Sequence, residues 1–180
     1  PLPPWGSGVA RDFVVTVNLT AHDVVTTGAS WVFEYKYSGG HDADGAKNVS
    51  IYRHEQGQRD EVCNSIKKGS DAPCTTTHAN DGFMYISFPT LDDFCCKCTD
   101  KIGPVRYDWI QDGGASFVGP ALVNGKMTNE FLKQGASDNH YYCTQDAAQQ
   151  AVRYMEHKNG KLKQWDFNMS SFSPGKLPPS

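Results

Sequence analysis

The chain has 180 residues, of which 17 are basic and 20 are acidic, so its formal net charge is −3. This length suits one domain of ordinary size, and the charge balance lacks the basic surface that a nucleic-acid-binding protein needs. No apolar run approaches the ~18 residues that span a bilayer. We therefore expect neither a nucleic-acid partner nor a transmembrane segment.

Six cysteines and three Asn-x-Ser/Thr sequons indicate an oxidising, extracellular environment. The proline-rich start lacks the basic and apolar regions of a signal peptide and is typical of a mature N-terminus whose leader has been removed. We predict a secreted glycoprotein. Its glycosylation sites would be Asn18, Asn48 and Asn168. Its candidate disulfide cysteines are Cys63, Cys74, Cys95, Cys96, Cys98 and Cys143.

The stretch 94–98 holds three of the six cysteines, so we expect the covalent framework to be tied there. Adjacent cysteines rarely bond to each other, because the Cα separation of a normal disulfide is out of reach for neighbours. At least two chain segments must therefore meet at this stretch, and a bond from Cys63 to Cys74 is one candidate. A zinc site formed by the three cysteines and a histidine is the alternative. It fits poorly, because structural zinc prefers two spaced cysteine pairs, so we predict no metal site.

Alternation of apolar and polar residues predicts a strand over 10–19, and the sequon at Asn18 orients it. A glycan cannot point into a core, so the odd-numbered side chains from Phe13 to Leu19 should face inward. The same reasoning turns Val49 and Ile51 inward around Asn48. Around Asn168 it turns Trp165, Phe167 and Met169 inward.

The most explicit strand, over 30–37, places four aromatic rings on one face and joins the next strand, over 47–53, through a polar connector. In that connector Asp42-x-Asp44-Gly45 is similar to the start of a calcium loop. The carboxylate that should close such a loop is missing, which favours an ordinary turn.

After a polar stretch over 56–80, with a short helix around 61–67, a further strand is predicted over 82–88. A series of short strands is then predicted over 115–118, 121–124, 126–134, 140–145, 150–158 and 161–169. Asn124-Gly125 and Asn159-Gly160 are strong hairpin signals, and they favour an antiparallel meander. The predicted architecture is mostly antiparallel sheet with one or two short helices.

No signature of a catalytic site is present. The chain has no Gly-x-Ser-x-Gly, no His-Glu-x-x-His and no glycine-rich phosphate loop, and its six histidines are scattered. We therefore expect a protein that is not an enzyme.

Aromatic residues are more numerous on the predicted sheet face than a core of this size requires. Either they form the core beneath a curled sheet that the cysteine-rich segment covers, or part of the face lines a cavity for an apolar ligand. The candidate ligand-binding residues are Trp31, Phe33, Tyr35, Tyr37, Phe131, Trp165 and Phe167.

Several motifs together resemble the ependymin-related and LVN1.2-like family of secreted proteins. They are Phe94-Cys95-Cys96-Lys97-Cys98, Gly103, Asp108-Trp109, Phe117-x-Gly119, Asn124-Gly125, Gly135, Asn139-x-Tyr141 and Asp166-Phe167, within residues 29–172 that also include the aromatic hairpin and the Cys63–Cys74 pair. The resemblance implies a LolA-like fold, which is a strongly curved antiparallel half-barrel with an apolar concave pocket. It also implies binding of lipids or other apolar molecules, sometimes with calcium.

The chain departs from the family where a tryptophan is expected near Phe131 and a proline near Ala151. Cys143 stands where no cysteine is expected, which indicates a disulfide particular to this protein or a link between two chains. The departures lie on strands that would line the pocket, so they affect the ligand more than the fold.

We divide the chain into a proline-rich N-terminal segment (1–9), one β domain (10–172) and a proline-rich tail (173–180). The predicted function is binding of a fatty acid, phospholipid or carotenoid-like pigment in an aromatic-lined half-barrel. The alternative is a structural or adhesive extracellular protein that acts as a homo-oligomer with a filled core.

Overall fold

The computed structural model describes residues 2–5, 12–22, 29–38, 49–54, 66–67, 72–79, 81–91, 94–100, 105, 108–112 and 114–174. Eleven strands form one sheet. They are β1 (Asp12–His22), β2 (Ala29–Ser38), β3 (Val49–His54), β4 (Cys74–His78), β5 (Phe83–Phe88), β6 (Phe94–Asp100), β7 (Ala115–Val123), β8 (Lys126–Gln134), β9 (Asp138–Thr144), β10 (Ala151–Lys158) and β11 (Lys161–Pro174). On β2, β3 and most of β6 the description extends to the backbone alone.

The sheet consists of two antiparallel meanders joined at its centre. Its strand order is β6-β5-β4-β3-β2-β1-β11-β10-β9-β8-β7, and β1 pairs with β11 along most of its length. The prediction of a mainly β protein with a large antiparallel sheet is therefore confirmed. Within the described residues helix is confined to Ile66, inside the short helix predicted around 61–67.

The strand order leaves β6 and β7 at opposite edges of the sheet, although they follow each other in the chain. The connection between them therefore joins one edge strand to the other. Its described residues Val105, Trp109 and Ile110 pack against the core, and Ile110 is fully buried. The connection thus contributes to the layer that covers one face of the sheet.

We call the covered face the inner face. On β1 it carries Phe13, Val15 and Val17, each at most 1% exposed, whereas Asn18 is exposed on the opposite, outer face. The inward orientation predicted for β1 from its sequon is confirmed for these three residues, and the side chain of Leu19 lies outside the described residues. On β11 the same alternation buries Phe167 and exposes Asn168, also as predicted. Met169, predicted to face inward, is half-buried, packs against the inner-face cluster and also lines a groove on the outer face. The third sequon, at Asn48, lies outside the described residues.

Both predicted hairpin turns are present. Asn124 and Gly125 have φ values of 49° and 75°, and Asn159 and Gly160 have 51° and 74°. Two successive positive φ values define the type I′ turn, whose twist matches that of the flanking strands. The predicted bounds of β8 are confirmed, and the strands predicted over 115–118 and 121–124 form the single strand β7. A register shift between Phe117 and Gly119 interrupts its pairing with β8.

Two expectations for the first half of the chain require correction. The sequence Cys-Thr-Thr-Thr-His, assigned to a polar loop, forms β4, because threonine suits a pleated strand although it gives no apolar alternation. The cysteine-rich stretch is the edge strand β6, paired with β5, and therefore extends the sheet instead of covering it. Cys74 is disulfide-bonded, and its partner lies outside the described side chains.

The disulfide expected at Cys143 is wrong, because this cysteine is free and fully buried. It occupies an inward position on β9, and its neighbours across the two adjacent strands are Ala151 and Asn129, so no cysteine faces it. Full burial also removes it from contact with a second chain.

Candidate functional site

A line of aromatic rings crosses the inner face on four consecutive strands. Phe131 on β8 lies opposite Tyr141 on β9, Tyr141 lies opposite Tyr154 on β10, and Tyr154 lies opposite Trp165 on β11. Residues directly opposite in antiparallel strands share a face and contact each other. The rings of Tyr154 and Trp165 accordingly have centroids 4.8 Å apart. We call these four residues the aromatic row.

Trp5 covers the aromatic row, although it lies far from these strands in the chain. Its side chain is 3% exposed. Its ring meets those of Tyr154, Trp109 and Phe167 edge to face, with centroids 5.4, 6.0 and 6.2 Å away. It meets Tyr141 at 5.5 Å with a tilt of 33°. Edge-to-face contacts at these distances are favourable because the ring edge is positive and the face negative.

The turn over 108–112 forms a second part of the cover. The amide of Asp112 donates to the carbonyl of Asp108 at 2.7 Å, which closes the turn. The ammonium of Lys133 on β8 donates to the carbonyl of Trp109 and lies 4.9 Å from the centre of its indole ring. This lysine therefore fastens the turn to the sheet through a hydrogen bond and a cation–π contact.

Two tyrosine hydroxyls give the site its polar groups. The hydroxyl of Tyr141 donates to the carbonyl of Pro4 at 3.3 Å, and that of Tyr154 donates to the side-chain oxygen of Asn139 at 2.7 Å. An apolar site with a few hydroxyl donors can hold an apolar molecule and orient its polar end. No acid, base or nucleophile is needed for that.

The structure brings three of the predicted ligand-binding residues to this face. Phe131 and Phe167 are buried at 4% and 7% exposure, and Trp165 is partly buried against the same cluster. The other four, Trp31, Phe33, Tyr35 and Tyr37, lie on β2 in register with β1, and their side chains are outside the description. The described rings form a packed core beneath their cover.

The candidate ligand-binding residues predicted from the sequence omit four of the rings in this cluster. Tyr141 and Tyr154 lie on strands whose alternation was too weak to assign an inward face, and Trp109 lies in a connection. Trp5 belongs to the proline-rich segment that composition sets apart, yet it packs at the centre of the core. An isolated tryptophan among prolines is the one local signal that could have drawn attention to it.

The outer face carries both a polar cluster and a small buried apolar cluster of Val123, Tyr142 and Val152. The carboxylate of Asp166 accepts from Arg153 Nε at 2.6 Å, from Gln164 at 2.6 Å and from Asn124 at 3.2 Å. Beside this cluster is an open groove of about 530 Å³. Its lining includes Asn18, Lys126, Val152, Asn168 and Met169.

Two buried side chains on β9 have strongly raised pKa values. Burial, together with the negative charge and hydrogen bond of Glu130, raises the pKa of Tyr142 to about 12. Burial, with a smaller contribution from Asp146, raises the pKa of Cys143 to about 12. Both groups are therefore neutral at physiological pH.

The described part of the chain contains no cluster of three or more His, Cys, Asp or Glu side chains arranged to hold a metal ion. The calcium-like motif over 42–45 lies outside it, as do the side chains of Cys95, Cys96 and Cys98 that a zinc site would use. Across the same residues, no helix has the length and apolar character needed to cross a membrane.

No protein-family model and no curated protein matches the chain. Among solved structures it is similar to LprF of Mycobacterium bovis, with 12% identity, a TM-score of 0.46, and coverage of 96% of this chain and 90% of that one. It is also similar to the lipoprotein LppX of Mycobacterium tuberculosis, with 10% identity, a TM-score of 0.44, and coverage of 89% and 86%. A LolA-superfamily protein of Nitrosomonas europaea matches with 7% identity, a TM-score of 0.42, and coverage of 94% and 89%. These values describe a similar arrangement of strands, and they say nothing about which ligand this chain binds.

Proposed function

We propose that the chain is a secreted glycoprotein that binds an apolar molecule, of the fatty acid, phospholipid or carotenoid-like class, on the inner face of its sheet. The observation that carries the proposal is the aromatic row, whose cover consists of two segments that are not strands. A sheet that needed only a core could close it with aliphatic side chains, whereas tyrosine is costly in a core unless its hydroxyl has a partner. The resemblance to ependymin-related proteins favours the same class of ligand. A binding role without catalysis is part of the proposal.

Apolar surface also extends past the covered region. At the β7 edge Phe117 and Leu122 are 58% and 70% exposed, and Met127 on β8 is 52% exposed. Phe117 contacts Phe131 of the aromatic row with ring centroids 5.5 Å apart. An apolar chain bound along the row could therefore continue toward this edge and remove further apolar area from water, at about 25 cal/mol per Å².

The binding test uses cis-parinaric acid, a fluorescent polyene fatty acid, with the full chain purified in the absence of detergent. We expect saturable uptake of one probe per chain with a dissociation constant of about 1–100 µM. The Tyr154→Ala variant should bind about tenfold more weakly, because it removes the central ring of the row. Tyr85→Ala, on β5 far from the row, is the matched control and should bind as the wild type does.

Native mass spectrometry of the unliganded and loaded chain supplies the stoichiometry. The proposal is contradicted if the probe is not taken up saturably even by a variant that lacks the Trp5 side chain. It is also contradicted if Tyr154→Ala and Tyr85→Ala bind alike.

The glycan part of the proposal rests on two sequons that share the outer face. Asn18 lies opposite Asp166 and Asn168 lies opposite Thr16, so the two asparagines are diagonal neighbours on β1 and β11, and both are exposed. The side-chain oxygen of Asn168 accepts from the amide and the hydroxyl of Ser170, at 3.2 and 2.7 Å.

We expect both sites to be glycosylated when the chain is secreted from a eukaryotic host. Ser170→Ala should then remove the mass of one glycan, because the sequon needs its hydroxyl residue. Ser171→Ala, at the next position and outside the sequon, should retain both glycans. Intact mass before and after enzymatic deglycosylation is the measurement, and an unmodified chain would refute this part.

The alternative function is that of a structural or adhesive extracellular protein that acts as a homo-oligomer. One observation favours it, the composition of the edge strand β7. This strand, Ala-Ser-Phe-Val-Gly-Pro-Ala-Leu-Val, has no charged side chain, and Phe117, Val118 and Leu122 are more than half exposed. Exposed apolar edge strands can pair with a second chain. A chain that takes up no probe and sediments as a dimer or larger species would favour this function.

A further inference from the structure

The segment Leu2–Trp5 is buried as deeply as the strands, although it belongs to none of them. Pro3, Pro4 and Trp5 are all buried, and Pro3 is among the residues below 2% exposure. Leu2 also packs against the core cluster. Three consecutive buried residues outside any strand therefore occupy the space directly over the aromatic row.

The attachment of this segment differs from that of a strand. Pro3 and Pro4 have no N–H group to donate. The carbonyls of Leu2 and Pro4 accept from side chains, Gln111 Nε2 at 3.0 Å and the Tyr141 hydroxyl at 3.3 Å. None of the strand pairings in the described part of the sheet includes the segment. Releasing it would thus leave the sheet ladder intact, and water could replace both side-chain donors.

The contacts of the segment define the shape of what it occupies. The indole of Trp5 lies edge to face with three rings, at interplanar angles of 80–87°: those of Trp109, Tyr154 and Phe167. These rings therefore enclose a flat aromatic group. One residue earlier, the carbonyl of Pro4 accepts from Tyr141. The site is therefore shaped for a flat π-system followed at short distance by a hydrogen-bond acceptor.

We propose that Leu2–Trp5 is an internal occupant of the ligand site, and that the ligand is a flat conjugated or aromatic molecule carrying a carbonyl or carboxylate oxygen. The ligand displaces Trp5 from among the rings, and its oxygen takes the place of the Pro4 carbonyl at the Tyr141 hydroxyl. This inference rests on the proposed function and adds to it a ligand geometry and an intramolecular competitor.

Competition of this kind has a quantitative consequence. The apparent dissociation constant equals the intrinsic one divided by the fraction of molecules in which the site is open. If the segment leaves the site in about 1–10% of molecules, its removal should tighten binding about 10- to 100-fold.

The test compares wild-type chain, Trp5→Ala and Tyr85→Ala in titrations with cis-parinaric acid, which supplies a flat conjugated tetraene and, at the end of a flexible saturated chain, a carboxylate. We expect Trp5→Ala to bind at least about tenfold more tightly than wild type. Tyr85→Ala, which removes a ring on β5 outside the Trp5 contacts, should stay within about twofold. The peptide Leu-Pro-Pro-Trp added in trans should weaken probe binding to Trp5→Ala.

A second measurement uses the wild-type chain, so that it does not depend on the folding of Trp5→Ala. The chain is labelled with 5-fluorotryptophan, and the Trp5 resonance is assigned with Trp5→Phe. On saturation with cis-parinaric acid this resonance should move to the position of a solvent-exposed indole. Trp5→Phe, which retains a smaller ring, should itself tighten binding about threefold.

The outcomes separate the two proposals. If wild type and Trp5→Ala bind the probe equally, or if Trp5 stays buried when the probe is bound, the internal-occupant inference is overturned and the proposed function stands. If neither protein takes up the probe, the proposed function itself is refuted. Tighter binding by Trp5→Ala with release of Trp5 in the wild type supports both.

Discussion

Replacing Phe13 with alanine is expected to lower the free energy of unfolding by about 3–5 kcal/mol, the usual range for a fully buried phenylalanine. Phe13 is 0% exposed, and its ring stacks on Phe172 with centroids 5.2 Å apart and planes 23° from parallel. It lies on β1, the strand that joins the two meanders, opposite Tyr37 of β2 and Pro174 of β11. The cavity left by its removal would therefore open at the joint of the sheet, where three strands meet.

The matched control is Phe117→Ala, which removes the same ring from a position that is 58% exposed. It should cost about 1 kcal/mol or less, because most of its surface is already in water and its contact with Phe131 is a single aromatic pair. Urea unfolding followed by tryptophan fluorescence measures both. Equal losses in the two variants would show that the inner face at Phe13 does not contribute the core that its burial indicates.

The sequence specified the local features of this fold well. Alternation combined with the sequon at Asn18 identified the buried side of β1, because a strand has a period of two and a glycan must face water. The Asn-Gly pairs at 124 and 159 identified two hairpins, because asparagine and glycine accept the positive φ values that a type I′ turn requires. In each case a few adjacent residues determine the outcome.

The features that define the candidate site depend on contacts between residues far apart in the chain. Trp5 meets Tyr141 of β9 and Tyr154 of β10, residues of the second meander that lie far from it in the chain. Trp109 lies in the connection between the two edge strands, β6 and β7, and packs against the same cluster. Neither position carries a periodic signal, so composition placed Trp5 outside the domain.

The pairing of cysteines likewise depends on contacts between residues far apart in the chain. An even number of cysteines suggested that every one is paired, but pairing requires two sulfurs to face each other at a suitable separation. Cys143 is an inward residue of β9 and behaves as a small apolar side chain of the core cluster, where it contacts no other cysteine of that cluster. Its position on the inner face of β9, opposite Ala151 and Asn129, offers it no partner sulfur on either neighbouring strand.

The burial of Cys143 has a consequence for stability at alkaline pH. Its thiol has a pKa of about 12 in the folded chain, against about 8.5 in an unfolded one. Between these values the unfolded chain has lost the proton and the folded chain still holds it. Because the folded state then binds more protons, its stability falls as pH rises, by up to about 1.4 kcal/mol per pH unit from this group. The contribution is fully present below about pH 8.

We therefore expect the free energy of unfolding to decline steeply between about pH 9.5 and pH 11, and to decline less steeply in Cys143→Ala, by about 1.4 kcal/mol per pH unit. Tyr142, whose pKa is also raised to about 12, adds a decline of the same sign above about pH 10 in both proteins, so the difference between them isolates the thiol. Urea unfolding at several pH values gives both slopes. Parallel slopes would mean that the thiol ionises as readily in the folded chain as in the unfolded one, which a side chain sealed beneath the inner-face core could not do.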